Sequence, residues 1–283
     1  MYKRQGGGSN AYDLAYYGLF RPDVMASCLM PGVEMKYIIS FYSLICAVAA
    51  VNLCFSWLRR KGMSDFSAFM GAAVMASAAC FFHFHHQIMF VNYMPFLILA
   101  LMAVDEFLKR GKTLLLTASI FLICVQSFFY APACLVVLLI YYLLGADEND
   151  GINGIRPRNA GRAALAAGLG VGSAAVLLLP TAIDIISTEK DAGAFAEEGL
   201  SLVDLSMEGL LYTPYGCGLT LMVLYAMIVS LKNKGRRKLS AALLLAFLLP
   251  VVSWALSGFL YSRGKMMIPF LPCLLYTSDA ADD

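Results

Sequence analysis

The feature that most constrains this chain is a succession of apolar runs, each near the length needed to cross about 30 Å of hydrocarbon, separated by short charged junctions. Nine windows stand out, near residues 37 to 58, 65 to 82, 88 to 107, 113 to 129, 131 to 145, 161 to 183, 217 to 231, 239 to 260, and from 266 onward. They read as helices, and the fourth and fifth abut at Tyr130 to Pro132 as a tight hairpin or one bent element. Only 14% of residues are charged and 60% are hydrophobic, whereas a soluble domain carries roughly 25% charged residues. Too little polar side chain remains to coat a globule. The expected fold is therefore all-α: a polytopic transmembrane helical bundle.

Lys and Arg near span ends favour the cytoplasm, so every junction tests one topology at once. Arg59, Arg60 and Lys61 follow the first window, and Lys109, Arg110 and Lys112 follow the third. Arg156, Arg158 and Arg162 follow the fifth, and Lys232, Lys234, Arg236, Arg237 and Lys238 follow the seventh. These are alternate junctions. A single topology puts them all in the cytoplasm and leaves His83 to Gln87, Ser187 to Gly216, Tyr261 to Lys265 and the segment before the first window outside. The net charge of +2 adds little to that placement, and no nucleic-acid partner is implied.

The ends differ in character from what they flank. Residues 1–5 (MYKRQ) and 275–283 (LYTSDAADD) read as translated sequencing remnants and are set apart from the fold. Residues 6–36 then form an extracytoplasmic segment, and 37–274 a transmembrane domain of about eight spans plus the start of a ninth, with an acidic extracytoplasmic loop at 184–216. On this reading the chain is a fragment, with a helix expected upstream.

No Gly-rich phosphate loop, G-x-S-x-G elbow or His-Glu-x-x-His helix is present. The outer face instead collects polar groups, and ionisable side chains near membrane depth are costly enough to be functional candidates. His83, His85 and His86 are all the histidines of the chain, with Gln87 and Asn92 following them. Three readings stay open for this cluster: a polar interfacial belt, contacts to a phosphorylated or sugar ligand, or a divalent metal, for which the spacing supplies no defined ligand set. Arg21, Arg263 and Lys265 are cations on a side where cations are scarce. Arg offers a bidentate fork and Lys a compact charge, so they suit a lipid-linked phosphate, with snorkelling to headgroups as the alternative. Asp13 and Asp23 lie in the Tyr-rich outer segment, where a carboxylate is placed to act as general base; a helix cap or an ion pair to Arg21 is the other reading. The eight cysteines lack a Cys-x-x-Cys pair and read mostly as small core residues, although Cys28 and Cys217 share the outer side.

The run His85-His86-Gln87-Ile88-Met89-Phe90-Val91-Asn92-Tyr93-Met94-Pro95-Phe96 resembles the span-entry motif of the YfhO family of bacterial membrane proteins. Tyr16-Tyr17-Gly18-Leu19-Phe20-Arg21-Pro22-Asp23 looks like the family's aromatic outer segment. Tyr261-Ser262-Arg263-Gly264-Lys265 with Ile268-Pro269-Phe270-Leu271-Pro272 looks like its later outer loop. That family is similar to the GT-C class of glycosyltransferases, which use polyprenyl-phosphate-linked sugars at the outer face. The resemblance implies a multi-pass protein of the bacterial cell membrane, in contact with lipid, that takes a polyprenyl-phosphate-linked sugar donor and a cell-envelope polymer acceptor. Asp13 and Asp23 are the carboxylates this segment offers for the catalytic role, although the class usually places its own in the first outer loop, expected upstream. Arg21, His83, His85, His86, Gln87, Asn92, Arg263 and Lys265 would bind substrate. No cofactor is certain. A transporter or lipid flippase would instead show broken helices near the midplane and a pseudo-symmetric repeat; a non-catalytic partner in envelope-polymer assembly is a further alternative.

Overall fold

A computed structural model describes residues 20–83, 91–144, 157–187, 207, 209–233, 235–257 and 263–278. After a short helix α1 (Pro22–Leu29) comes α2 (Met35–Arg60), whose 26 residues contain neither Gly nor Pro and extend about 39 Å. Its buried positions Ser43, Cys46, Ala50, Cys54 and Trp57 recur at helical spacing. The opposite face exposes Tyr37, Phe41, Leu44, Ile45 and Val48. Large apolar side chains thus point outward, as in a helix solvated by lipid.

Helix α3 (Asp65–Ser77) begins at Ser64, whose hydroxyl accepts from the Ser67 N–H at 3.1 Å. It stops at Ala78, and α4 (Ala79–Phe82) restarts in a new direction. The 65 to 82 window is thus two helices. The cause is tertiary: the Ala79 N–H donates to Gly218 O at 3.0 Å, a partner far away in the chain.

Three helices follow: α5 (Met94–Arg110), α6 (Leu114–Gln126) and α7 (Ala131–Leu144). Gly111 closes α5 in the left-handed region (φ 67°), its N–H donating to Phe107 O. Ser127 ends α6 in extended backbone, and its hydroxyl accepts from the Tyr130 N–H at 3.2 Å, starting α7. Tyr141, near the end of α7, bonds to Asp105, near the end of α5. Helix α6 starts directly after α5, so α6 and α7 run antiparallel, the hairpin of the two forms left open at Tyr130 to Pro132.

Helix α5 is the centre of the bundle. Leu97, Ile98, Ala100, Leu101 and Ala103 are fully buried, and α2, α6 and α7 pack around it.

The 161 to 183 window is also broken: α8 (Pro157–Ser173) and α9 (Ala175–Ser187) meet at 69°. Gly168, Gly170, Gly172 and Ser173 precede the bend, and Gly/Ser pairs are a usual origin of such kinks. Gly170 has a second role: a Cβ there would lie 2.8 Å from Thr117 O, so its missing side chain lets α8 press against α6. Beyond it, Leu211 and Leu219 form an isolated bridge ahead of α10 (Leu221–Ser230). Helices α11 (Arg237–Leu248) and α12 (Pro250–Leu256) meet at 85°, where Pro250 lacks an N–H and holds Leu249 in extended backbone. A 3-10 helix (Gly264–Phe270) leads into α13 (Leu271–Ser278), where Leu275 to Thr277 are buried.

Among the described residues, by length and composition, one helix, α2, is able to cross a membrane, or up to three if each bent pair is one span. Helices α6, α7 and α10 are apolar but shorter than the roughly 20 residues a straight span needs. No strand occurs among the described residues.

Candidate functional site

Side-chain contacts sort the junctions into two groups at opposite ends of α5. At one end, where α2 and α5 finish, Lys61 Nζ lies 3.3 Å from Asp105 Oδ1, Trp57 Nε1 donates to Asp105 Oδ2 at 3.1 Å, and the Tyr141 hydroxyl donates to Oδ1 at 2.7 Å. The Lys61 and Asp105 side chains are only 6% and 15% exposed. Arg162 donates to Gly111 O at the same end, and the Arg236 guanidinium sits 4.9 Å over the Tyr276 ring, itself packed on Trp57. The basic loops are thereby drawn together. Sequence reasoning overlooked Asp105 because Glu106, Lys109 and Arg110 made it look like part of a solvated junction. The available signal was an acid one turn inside an apolar run.

At the other end the loops between windows meet. Gly264 sits against Gly209 and the Tyr215 carbonyl oxygen, where a Cβ would approach to 2.9 and 3.2 Å. The Tyr215 ring meets His83 edge-on at 5.3 Å. Arg263, exposed, and Lys265, half-buried, flank Gly264, and the Lys265 ammonium lies 4.7 Å over the Phe129 ring. Burial first, then the neighbouring Arg263 charge, lowers the pKa of Lys265. Among the described residues Arg263 has no carboxylate within ion-pair distance. Two like charges side by side, one partly desolvated, make a place where an anion is stabilised.

Arg21 and Asp23 are nearby but committed to each other. Arg21 Nε donates to Asp23 Oδ1 at 3.0 Å, its Nη2 pairs with Oδ2, and both residues are buried. This is the ion-pair alternative from the sequence. The pair lies beside Tyr42, whose hydroxyl donates to Gln126 Oε1 at 2.9 Å, and Gln126 stands three residues before Phe129. Asn92 is buried in the turn leading into α5. Arg21 and Asp23, beside Tyr42, and His83, Arg263 and Lys265, around Tyr215 and Phe129, therefore lie toward the same end of the bundle. An apolar cavity of about 360 Å³ between α2 and the α3–α4 joint is lined by none of them. Asp13, His85, His86 and Gln87 fall outside the described residues, within which no group of three His, Cys, Asp or Glu is arranged to hold a metal.

An all-helical chain with apolar outward faces and polar side chains gathered at its two ends is a membrane protein. The chain belongs to the family described as bacterial membrane protein YfhO, which it matches over residues 3–269. No curated protein and no solved structure matches it.

Proposed function

We propose that this is a multi-pass, GT-C-like transferase that moves a sugar from a polyprenyl-phosphate donor to a cell-envelope acceptor. On this reading the Lys61, Arg162 and Arg236 end lies in the cytoplasm and the Arg263 and Lys265 end faces out. The observation that carries the proposal is the Arg263 and Lys265 pair, with Arg263 exposed, free of any described carboxylate, and set at the end opposite the basic loops. Arg263 supplies a fork for phosphate oxygens. Lys265, held against Phe129, supplies a point charge in partly desolvated surroundings, where electrostatic interactions strengthen. Asp23 is a buried carboxylate described at this end; freed from Arg21, it would take the acceptor hydroxyl proton as the sugar leaves its phosphate.

A second reading has structural support. Two sharply bent helix pairs occur among the described residues, and broken helices are a device that membrane transporters use around a transported ligand. The two readings part on chemistry. Membranes containing the protein are incubated with a sugar-labelled polyprenyl-phosphate and envelope acceptor, and label in polymer is compared between wild type and Arg263→Ala. Transfer that falls at least tenfold at equal protein accumulation supports the transferase. Label that crosses the membrane without ever joining polymer supports the transporter.

A further inference from the structure

Two cysteines that the site does not use lie together directly behind it. Cys80 is the second residue of α4, and Cys217 lies in the segment between the bridged Leu211 and Leu219. The two backbones run side by side: the Ala79 N–H donates to Gly218 O at 3.0 Å, and the Cys80 thiol to Cys217 O at 3.3 Å. Gly218 has φ 64°, and a Cβ there would collide with the Ala79 side chain, so the close approach depends on glycine. Both cysteines are fully buried. Cys217 donates its thiol hydrogen to Met267 O at 3.3 Å. Cys28, the partner on the outer side read from the sequence, is exposed.

We propose that Cys80 and Cys217 form a disulfide that ties the segment carrying Tyr215 to the α3–α4 joint. The bond would form with the Cys217 side chain turned away from Met267 O, across backbones already joined by the Ala79 and Cys80 hydrogen bonds, a close approach of the kind the short Cα separation of a disulfide requires. The two thiols lose two protons and two electrons as the S–S bond forms. The electrons pass to the disulfide of an extracytoplasmic thiol–disulfide oxidant, which leaves as a dithiol. Burial slows thiolate attack in the finished fold, so the exchange occurs before the segment closes over α4. The bond would hold Tyr215 against Gly264 and His83, and so fix the cationic site from behind. This inference rests on the orientation proposed above, because disulfides persist on the oxidising side of a membrane.

The test uses the whole protein in membranes, quenched with acid and denatured, with thiols counted by a mass-tagged maleimide before and after reduction. Six of the eight cysteines should react before reduction and all eight after it. In Cys80→Ser and in Cys217→Ser, all seven that remain should react without reduction, whereas Cys28→Ser should leave the masked pair intact. Eight reactive thiols before reduction, or a pair still masked in Cys80→Ser, overturns the disulfide. Labelling of Cys28 by a membrane-impermeant maleimide on intact cells separates the causes of failure: Cys28 labelled with the pair reduced removes the disulfide alone, and Cys28 protected removes the orientation with it.

Discussion

At the residue scale the most consequential side chain away from the site is Asp105. Its carboxylate accepts from Trp57, Tyr141 and Lys61 at the junction of α2, α5 and α7. Removing one member of a buried pair leaves the other charge uncompensated, at a cost of about 3–5 kcal/mol. Asp105→Ala should therefore lower the thermal unfolding midpoint in detergent well below wild type, and adding Lys61→Met should recover much of the loss; a double variant no better than the single would show that the pairing is not the cause. Lys265 gives a pH signature. Its lowered pKa means that the ammonium loses its proton at a lower pH than an ordinary lysine. Anion binding that needs this charge should weaken as pH rises from neutral, and Lys265→Arg should flatten that alkaline limb, measured as donor binding across pH. Residue-scale legibility was uneven. Arg263 and Lys265 stood out in the sequence because cations are scarce on their side, and His83 because the histidines of the chain cluster there, whereas the Arg21–Asp23 ion pair remained one of two readings and Asp105 was hidden among its charged neighbours.

At the element scale the apolar helices were legible, while the short α1 (Pro22–Leu29), inside the segment read only as extracytoplasmic, and most helix breaks were not. Windows of hydropathy report that a stretch is apolar without reporting direction. The break at Ala78 follows from a hydrogen bond to Gly218, which no local pattern encodes. The α11–α12 bend had a local sign in Pro250, and the α8–α9 bend a weaker one in its glycines. Gly170 shows how such residues pack: α8 meets the α6 backbone where a side chain would stand. Gly170→Leu should separate the two helices and destabilise the protein by roughly 1–3 kcal/mol, an overpacking cost, whereas Gly172→Leu, whose position is open, should be close to neutral. Thermal unfolding of the two variants side by side checks the contrast, and equal losses would place α8 differently.

At the scale of the whole molecule, the alternation of basic junctions along the sequence becomes a spatial separation. Lys61, Arg162 and Arg236 gather near the end of α5, and Arg263, Lys265 and His83 gather beyond its start. The most direct test of this account is which side of the membrane each end faces. In a Cys28→Ser background, where the other native cysteines are buried, single cysteines are placed at Arg263 and at Lys112, both exposed, and intact cells are treated with a membrane-impermeant maleimide. The account predicts labelling of Arg263→Cys in intact cells and of Lys112→Cys only after the membrane is opened. The reverse pattern, or equal labelling of both, would contradict it.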